Sequence, residues 1–328
     1  MKTALILGVS GQDGAYLSHF LLSKAYAVHG TSRDPEATNF SGLERLDVRG
    51  DIIVHRTDLT NSESMMELLR LVKPCEIYHL AGQSSVGLSF LYPAETIASI
   101  STSTLTLLEA LRELKSDARV FNTGSSECYG NCATPVREGS PFHPHSPYAE
   151  ARQLAYQAAK HYRESHGMFV ATGILANHES PLRPDRFVTR KIVQVVRRIK
   201  NGSNERLSLG NVRVQRDWGW APEFVEAFWL LLQANKPDDY NIATGETNAL
   251  SDFVMEAFAA VGLDWADHVD IDNSLKRPSE FQATRMDVSK ISTELGWRAR
   301  YKMRHIVRFL IARDEDRGLG PIPWQDVT

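Results

Sequence analysis

The chain has 328 residues, of which 42% are hydrophobic and 23% charged, with a formal net charge of -3 at pH 7. This is the composition of a folded protein with one large α/β domain, or a large domain with a smaller one. The nearly balanced charge argues against a general nucleic-acid binder. No apolar run approaches the roughly 20 residues that a membrane helix requires. Cys75, Cys128 and Cys132 form no disulfide framework and no zinc motif.

The N-terminus, MKTALILGVSG, has neither the long apolar stretch nor the cleavage site of a signal peptide. Residues 3–7 predict a short buried strand instead. We therefore expect a protein of the reducing cytoplasm, with no bound metal and no membrane or nucleic-acid partner.

A glycine-rich turn follows this first strand and precedes a helical pattern, with the spacing GxxGxxG. Glycines permit a tight turn and the close approach of a pyrophosphate, and a helix N-terminus offers free N–H groups. The turn therefore predicts a dinucleotide site, and the expected contacts are Gly8, Gly11, Gln12, Asp13 and Gly14.

Strands and helices alternate through the first half of the chain. Further strands are predicted at 27–31, 52–55, 76–81 and 119–123, and helices at 63–72 and 96–114. This alternation predicts a doubly wound parallel sheet of the Rossmann type, with ligands beyond the carboxyl ends of the strands. After about residue 170 the pattern loosens, which indicates a smaller, interleaved substrate-binding portion. We expect the polar, Gly- and Pro-containing tail after residue 313 to be loosely ordered.

The end of the second strand bears on the choice of cofactor. The strand-end position is Ser32, followed by Arg33 and Asp34. NAD enzymes usually place a carboxylate there to hold the ribose hydroxyls, whereas a hydroxyl and a guanidinium suit a 2′-phosphate. We therefore expect NADP rather than NAD, although a strand end shifted by one residue would make Asp34 a ribose ligand. After the third strand, Asp58 and Leu59 are placed to contact the adenine, or form a plain loop.

Polar side chains also follow the fourth and fifth strands. Leu80, Gln83 and Ser85 belong to LAGQSS, where small residues let a cofactor pass and neutral groups supply hydrogen bonds. Ser125 and Glu127 belong to GSSECYG. Hydroxyls followed by a carboxylate at the end of a buried strand indicate a site of chemistry rather than an ordinary polar turn.

The segment SPYAEAR opens a helix and places Tyr148 and Arg152 on one face, four residues apart. A cation one turn from a phenol favours the phenolate, which would make Tyr148 a usable base near neutral pH. Taken alone, this pair is common on solvated helix faces.

Together these segments resemble the extended short-chain dehydrogenase/reductase (NAD-dependent epimerase/dehydratase) family, and within it most closely the GDP-mannose 4,6-dehydratase family. The similarity extends from residue 6 to about residue 280. Its main segments are GVSGQDGAYL, LAGQSSVGLSF, GSSECYG, SPYAEAR, FVTRKI, RDWGWA, PDDYNIATGET and RPSE.

The resemblance implies a hydro-lyase of nucleotide-sugar metabolism and deoxyhexose biosynthesis. The implied reaction is NADP-dependent dehydration of GDP-mannose or a close GDP-sugar, by C4 oxidation, elimination of water across C5 and C6, and hydride return to C6. Tyr148 would take the proton of the sugar 4-hydroxyl and Ser125 would hydrogen-bond the 4-oxygen. Glu127 would remove the C5 proton and help water leave, a function that 4-epimerases and 4-reductases do not need.

The resemblance also implies contacts in the second half. Asn177 and His178 would lie between nicotinamide and substrate, and two arginines would bind the diphosphate. The alternative for these arginines is a surface ion pair. The implied substrate contacts are Ser85, Asn177, Lys191, Arg216, Arg277 and Glu280. Residues 1–170 would form the NADP-binding domain, to which residues 211–245 return, and residues 171–328 mainly the nucleotide-sugar-binding portion.

Arg152 departs from the family pattern, which has a lysine at this position that also binds the nicotinamide ribose. Both side chains are cations, but a planar guanidinium is larger and has a different donor geometry. We expect an active but slower enzyme, in which Arg152→Lys raises kcat. Ser125 in place of threonine and Ala176 in place of phenylalanine are milder departures.

Two alternatives remain open at this stage: another nucleotide-sugar 4-epimerase or 4-reductase, or a catalytically impaired homologue that binds the sugar nucleotide. By analogy with relatives, we expect a homodimer formed through helices 96–114 and 148–166, or a homotetramer that also uses the loop of residues 33–41.

Overall fold

The computed structural model describes residues 1–275, 281–312 and 319–324. The strands of this described part are β1 (Thr3–Leu7), β2 (Ala27–Ser32), β3 (Ile52–Arg56), β4 (Glu76–His79), β5 (Arg119–Ser125), β6 (Val170–Leu175), β7 (Asn177–Glu179), β8 (Leu207–Leu209), β9 (Gln215–Trp220), β10 (Asp239–Ile242), β11 (Thr247–Ala249) and β12 (Val269–Ile271).

Its α-helices are α1 (Gln12–Ser23), α2 (Ser41–Arg45), α3 (Ser62–Val72), α4 (Val86–Leu91), α5 (Pro93–Ile97), α6 (Ser103–Glu113), α7 (Pro147–His166), α8 (Val188–Lys200), α9 (Ala221–Gln233), α10 (Leu250–Ala259), α11 (Ser289–Glu294) and α12 (Met303–Ala312). None of the helices in the described ranges is long and apolar enough to cross a membrane.

Seven parallel strands form the central sheet, in the order β10-β6-β5-β4-β1-β2-β3. The chain builds from β1 towards β3 in one direction and from β4 towards β10 in the other. The order therefore reverses between β1 and β4, which pair directly. In open α/β sheets the ligand-binding crevice lies beyond the carboxyl ends of the strands at such a reversal. The predicted doubly wound parallel sheet is confirmed.

The sheet is buried on both faces because its strands are apolar at consecutive positions. In β1, Ala4 and Ile6 belong to a core cluster with α1 and α9, while Leu5 and Leu7 belong to a cluster with α3 and α6. Complete burial of an aliphatic side chain of this size stabilises a fold by about 1.5–3 kcal/mol. This packing holds the loops beyond the strands in place.

The predicted helix over residues 96–114 is wrong in one respect. A π turn, Ala98–Thr102, separates α5 from α6. Hydroxyl groups donate to main-chain carbonyls at this point, Ser103 to Ser99 at 2.7 Å and Thr104 to Ile100 at 2.7 Å. Such side-chain bonds compete with regular helix bonding. The turn contacts the loop after β4, because the main-chain N–H of Gln83 donates to the Ser99 hydroxyl at 3.2 Å.

A second hydrophobic cluster lies outside the central sheet. Strands β11, β9 and β7 form a three-stranded sheet, and β8 pairs with β12. Apolar faces of α8, α10 and α12 pack around them, including Ile192, Phe253 and Ile306. Helix α9 and strand β10, although late in the chain, pack with the central sheet. Strand β6 belongs to the central sheet and β7 to the three-stranded sheet, so the chain passes from one sheet to the other at residue 176.

The described tail residues are packed, so the expectation of a loosely ordered tail is wrong for residues 319–324. The Trp324 indole donates to His19 Nδ1 at 2.9 Å and its ring centroid lies 4.8 Å from that of Phe20. The Pro321 carbonyl accepts from the Trp220 indole at 2.8 Å. These aromatic contacts attach the segment to α1 and β9, and the local composition gave no sign of them.

Candidate active site

The glycine turn after β1 has the geometry that a dinucleotide pyrophosphate requires. Gly8 has a φ of 89°, and a Cβ there would lie 2.8 Å from the Ala81 Cα. A Cβ on Gly14 would lie 2.6 Å from the Gly8 carbonyl oxygen. At Gly11 the nearest atom would be 3.6 Å away, which leaves the approach to the N-terminus of α1 open. No side chain caps this helix. The turn therefore fits a bound phosphate pair.

Gln12 and Asp13 connect this turn to β7 and the loop after it. Asp13 Oδ2 lies 2.9 Å from His178 Nε2, and Gln12 Oε1 accepts from the Ser180 hydroxyl at 2.8 Å. His178 Nδ1 lies 2.8 Å from the Ala176 carbonyl oxygen. Burial by itself would raise the pKa of Asp13, but His178 and Gln12 outweigh it and hold the pKa below its usual value. An ionised Asp13 thus anchors the turn.

Ser125, Glu127 and Tyr148 line one cavity at the carboxyl edge of the sheet. Ser125 ends β5, and its hydroxyl accepts the main-chain N–H of Glu127 at 3.2 Å in the turn that follows. Tyr148 lies in the first turn of α7, which begins with Pro147 and is capped by the Ser146 hydroxyl. The structure therefore brings three of the four predicted catalytic side chains together in one cavity, from the turn after β5 and from the start of α7.

Arg152 completes this group from the next turn of α7. Its Nε donates to the Tyr148 hydroxyl at 3.3 Å, and its Nη1 donates to the Thr123 carbonyl at 2.9 Å. Nη2 makes no hydrogen bond within the described part of the chain, and Arg152 lines the cavity. Burial lowers the pKa of the nearby His79 to about 4, and the Arg152 charge adds to this effect. His79 is thus neutral near pH 7 and leaves the positive charge to Arg152.

Glu127 contacts a cation from the far side of the cavity. The Arg216 Nε, on β9, lies 3.6 Å from Glu127 Oε1. The Arg216 guanidinium also lies 4.0 Å from the Phe281 ring centroid, and its Nη1 donates to the Gln215 carbonyl at 2.9 Å. The expected catalytic carboxylate and the expected diphosphate ligand are therefore neighbours.

The cavity has a volume of about 390 Å³ and several cationic side chains in its lining. The Lys191 ammonium donates to the Ser208 carbonyl at 2.7 Å. Arg183 lies 3.6 Å from Glu179, and Arg186 donates to the Ser84 hydroxyl at 3.3 Å. Burial, and then the charge of Arg183, lowers the pKa of Arg186. Such a lining suits an anionic ligand.

Sequence reasoning missed Arg183 and Arg186. They lie on either side of Pro184, directly after the NHESP segment that contains two of the predicted ligands. Their position after these two ligands is the feature of the sequence that could have identified them. Their convergence with Lys191 depends on how the loop between β7 and α8 folds back over the cavity.

The other predicted ligand residues in the described part of the chain form two groups. The first group lines the cavity and consists of Asp13, Leu80, Ser85, Asn177 and His178. The second group lies at the ends of β2 and β3 or in the loop after β4, and consists of Ser32, Arg33, Asp58, Leu59 and Gln83.

Ser32 ends β2, as expected, and its hydroxyl lies 2.6 Å from that of Thr38. Arg33 is largely exposed and Asp58 accepts from the Thr60 hydroxyl at 2.7 Å. Leu59 packs against the α3–α6 core cluster.

Gln83 turns into its own loop, where its amide donates to the Ser85 carbonyl at 2.8 Å. Arg277 and Glu280 lie outside the described residues. Within the described ranges, no cluster of His, Cys, Asp and Glu side chains could hold a metal ion.

Solved structures with the same fold include two nucleotide-cofactor complexes. A UDP-glucose 4-epimerase of Thermus thermophilus in complex with NAD has a TM-score of 0.82 at 21% identity, with 94% of this chain and 98% of that chain covered. RMD from Pseudomonas aeruginosa complexed with NADPH has a TM-score of 0.78 at 22% identity, with 95% and 98% covered. At such identities the likeness concerns the fold alone.

Similarity in sequence is closer. GDP-mannose 4,6 dehydratase 1 of Arabidopsis thaliana is 42% identical over 97% of this chain and 91% of its own length. GDP-mannose 4,6 dehydratase of Homo sapiens is 37% identical over 95% and 91%. GDP-mannose 4,6-dehydratase of Sinorhizobium fredii (strain HH103) is 38% identical over 95% and 96%. The model of the family described as GDP-mannose 4,6 dehydratase matches residues 5–310. With a match over nearly its whole length, this chain belongs to the GDP-mannose 4,6-dehydratase family of hydro-lyases.

Proposed function

We propose that this protein dehydrates GDP-mannose, or a close GDP-sugar, to the GDP-4-keto-6-deoxy sugar, with NADP as its cofactor. The observation that carries the proposal is Glu127, a carboxylate in the same cavity as the Tyr148 hydroxyl. An oxidation at C4 needs only the tyrosine and the cofactor. Loss of water across C5 and C6 needs a further acid–base group.

The glycine turn would hold the cofactor pyrophosphate, and Ser32 and Arg33 the 2′-phosphate, with Asp58 and Leu59 near the adenine. Among solved structures of the same fold, several contain NAD and RMD contains NADPH, which supports a nicotinamide cofactor of either kind. When bound, the cofactor would supply hydride chemistry, with a hydride leaving C4 of the sugar and returning to C6, so none would be consumed. Return of the hydride to C6 requires a proton from solvent at C5, and the 4-hydroxyl proton taken by Tyr148 returns to solvent.

Tyr148 takes the proton of the sugar 4-hydroxyl during the oxidation. The Arg152 Nε donates to the Tyr148 oxygen at 3.3 Å and places a positive charge where negative charge develops during the proton transfer. The Ser125 hydroxyl accepts the N–H of Glu127. Its own proton is thereby left to donate to the 4-oxygen of the sugar. The two hydroxyls and the guanidinium together orient the C4–O bond.

Glu127 removes the C5 proton once C4 is a ketone, because the carbonyl stabilises the charge that develops at C5. The same carboxyl then donates its proton to the C6 hydroxyl, which leaves as water. Arg216 Nε, 3.6 Å from Glu127 Oε1, places a positive charge beside the carboxylate that takes this proton.

The sugar nucleotide would bind through its diphosphate to Arg216 and Lys191, with Asn177 and Ser85 nearby. Arg183 and Arg186 add positive charge to the same cavity. Arg277 and Glu280 stay as expected diphosphate and ribose or base contacts from the sequence resemblance. In this arrangement residues 1–170, joined by residues 211–245, serve the cofactor, and residues 171–328 mainly serve the sugar nucleotide.

We also propose a homodimer formed through α6 and α7, or a tetramer that also uses residues 33–41. Leu105 on α6 and Leu154 on α7 are each 49% exposed. Ile97 on α5, which precedes α6 in the chain, is also exposed. Exposed apolar side chains on adjacent elements are typical of a protein interface. We place the protein in the cytoplasm, in keeping with its free cysteines.

The test is incubation of the purified protein with GDP-mannose and a catalytic amount of NADP, followed by mass spectrometry and by the absorbance of NADPH. We expect the sugar nucleotide to lose one water without net formation of NADPH. An epimerase would leave the mass unchanged, and a 4-reductase, running in reverse on the sugar alcohol, would convert NADP to NADPH. Tight binding of GDP-mannose without turnover would instead support an impaired homologue, the alternative whose one support in the sequence is Arg152.

A further inference from the structure

We propose that Arg56 determines the preference of this protein for NADP over NAD, by neutralising Asp34 and by offering a second cation to the 2′-phosphate. The inference deepens the proposed function and rests on its nicotinamide dinucleotide. Arg56 ends β3, the edge strand of the central sheet, and is paired in register with Ser32 at the end of β2. Both residues therefore lie at the carboxyl edge of the sheet, where the adenosine end of a dinucleotide binds.

Asp34 is the residue that would favour NAD over NADP. It follows the end of β2 by two positions, and a free carboxylate there would accept the 2′-hydroxyl of NAD and repel a 2′-phosphate. In the structure Asp34 Oδ1 lies 2.8 Å from Arg56 Nη2 and also accepts the main-chain N–H of Glu36 at 3.3 Å. Arg56 Nη2 also lies 3.8 Å from Glu36 Oε2, so the guanidinium offsets part of the charge of both carboxylates, and one oxygen of Asp34 is already engaged. Arg56 thereby removes the feature that would select NAD.

Ser32 by itself is a poor donor to a phosphate. The Thr38 hydroxyl donates to the Asp34 carbonyl at 2.5 Å, so the 2.6 Å contact between Ser32 and Thr38 uses the proton of Ser32. Recognition of a doubly charged phosphate then depends on cations. Arg33, beside Ser32, supplies one, and Arg56 supplies a second with five N–H donors in a planar fork.

The Arg33 charge also acts at this edge of the sheet. The pKa of Asp58 is lowered mainly by its hydrogen bonds from Thr60, with Arg33 contributing. The Arg56 and Asp34 side chains are 60% and 51% exposed. An exposed ion pair of this kind contributes little to the stability of a fold. Removing Arg56 should therefore change cofactor choice and leave folding intact.

The experiment measures the dissociation constants of NADP and NAD by calorimetry for the wild type, Arg56→Gln, Asp34→Asn and the double variant. Adenosine 2′,5′-bisphosphate and adenosine 5′-phosphate serve as parallel probes that need no turnover. Arg198→Gln is the matched control, because Arg198, on α8, has a similarly exposed guanidinium that pairs with Glu205 at 2.7 Å. Thermal denaturation checks folding, and Arg56→Lys provides a variant that keeps the charge.

We expect Arg56→Gln to weaken NADP binding relative to NAD by about tenfold, the effect of one charge-assisted hydrogen bond. Asp34→Asn in that background should restore part of the preference, and Arg56→Lys should keep most of it. A preference in Arg56→Gln equal to that of Arg198→Gln overturns this inference and leaves the dehydratase proposal standing. A wild-type protein that prefers NAD overturns both the NADP assignment and the role of Arg56 in cofactor choice.

Discussion

The Arg152 guanidinium joins the Tyr148 hydroxyl, at 3.3 Å from Nε, to the Thr123 carbonyl, at 2.9 Å from Nη1. One buried cation on α7 thus contacts both the phenol of the same helix and the strand that carries Ser125. The bond to Thr123 fixes the guanidinium, but it draws part of a delocalised charge away from the phenol. A lysine ammonium would place its whole charge on one nitrogen.

From this geometry we expect Arg152→Lys to raise kcat for GDP-mannose dehydration severalfold. Arg152→Met, which removes the cation, should lower kcat by on the order of a hundredfold. Steady-state kinetics with saturating NADP would measure both. A lower kcat in Arg152→Lys, with cofactor binding intact, would mean that the surrounding site is adapted to the guanidinium.

Tyr148→Phe should lower kcat by about 10²- to 10⁴-fold, the usual contribution of a positioned proton acceptor. Binding of GDP-mannose should persist, because the hydroxyl is not an expected diphosphate ligand. Tyr156→Phe is the matched control: Tyr156 lies on the same helix, with its hydroxyl 2.9 Å from Asp239. Equal activity in the two variants would refute Tyr148 as the base.

Glu127→Gln should separate oxidation from dehydration. The amide keeps the shape of the side chain but cannot take the C5 proton, so water loss should fall by about 10²- to 10⁴-fold. In a single turnover we expect enzyme-bound NADPH to persist and solvent deuterium to stay out of C5. Normal water loss in this variant would assign the elimination to another group.

The stability of the protein should depend on the protonation of Asp217. Burial raises the pKa of this carboxyl to about 6, although the main-chain N–H of Thr244 donates to it at 3.0 Å. Because the folded-state pKa lies above the unfolded value, the folded state binds the proton more tightly. The resulting stabilisation is fully present below about pH 4 and is lost as the pH rises through about 6, a change of about 2–3 kcal/mol.

Asp217→Asn carries no charge at any pH and should lack this contribution. Denaturant unfolding of the wild type and the variant, measured on both sides of about pH 6, gives the difference directly. We expect the variant to gain stability relative to the wild type as the pH rises. Parallel pH profiles would show that Asp217 titrates at its ordinary value.

Leu154→Arg should convert the expected oligomer to smaller species. Leu154 lies on the outer face of α7 and Leu105 on that of α6, both half exposed. A charge in the centre of an apolar interface remains unpaired when the interface forms, which costs several kcal/mol. Sedimentation velocity would measure the change, with Leu71→Arg on the exposed face of α3 as the control. A wild-type sedimentation coefficient in Leu154→Arg would move the interface elsewhere.

Local sequence patterns determined the fold and the positions of the chemical groups. The first five strands begin where apolar periodicity predicted them, because strand formation and burial depend on side chains that are close in sequence. GxxGxxG specified its turn for the same reason, since glycine at Gly8 relieves a local backbone constraint. The positions of Ser125, Glu127 and Tyr148 could be predicted because the first ends a strand, the second follows it and the third opens a helix.

Only the tertiary structure decided which groups meet. Glu127 pairs with Arg216, Asp13 with His178, and Asp34 with Arg56, in each case across 22 or more positions of the chain. No pattern within a sequence window encodes such a contact, because it depends on the register and order of the strands. The convergence of Arg183 and Arg186 on the cavity and the docking of the tail on α1 have the same origin. These contacts form because the burial of apolar surfaces from distant parts of the chain also brings the adjacent polar side chains together.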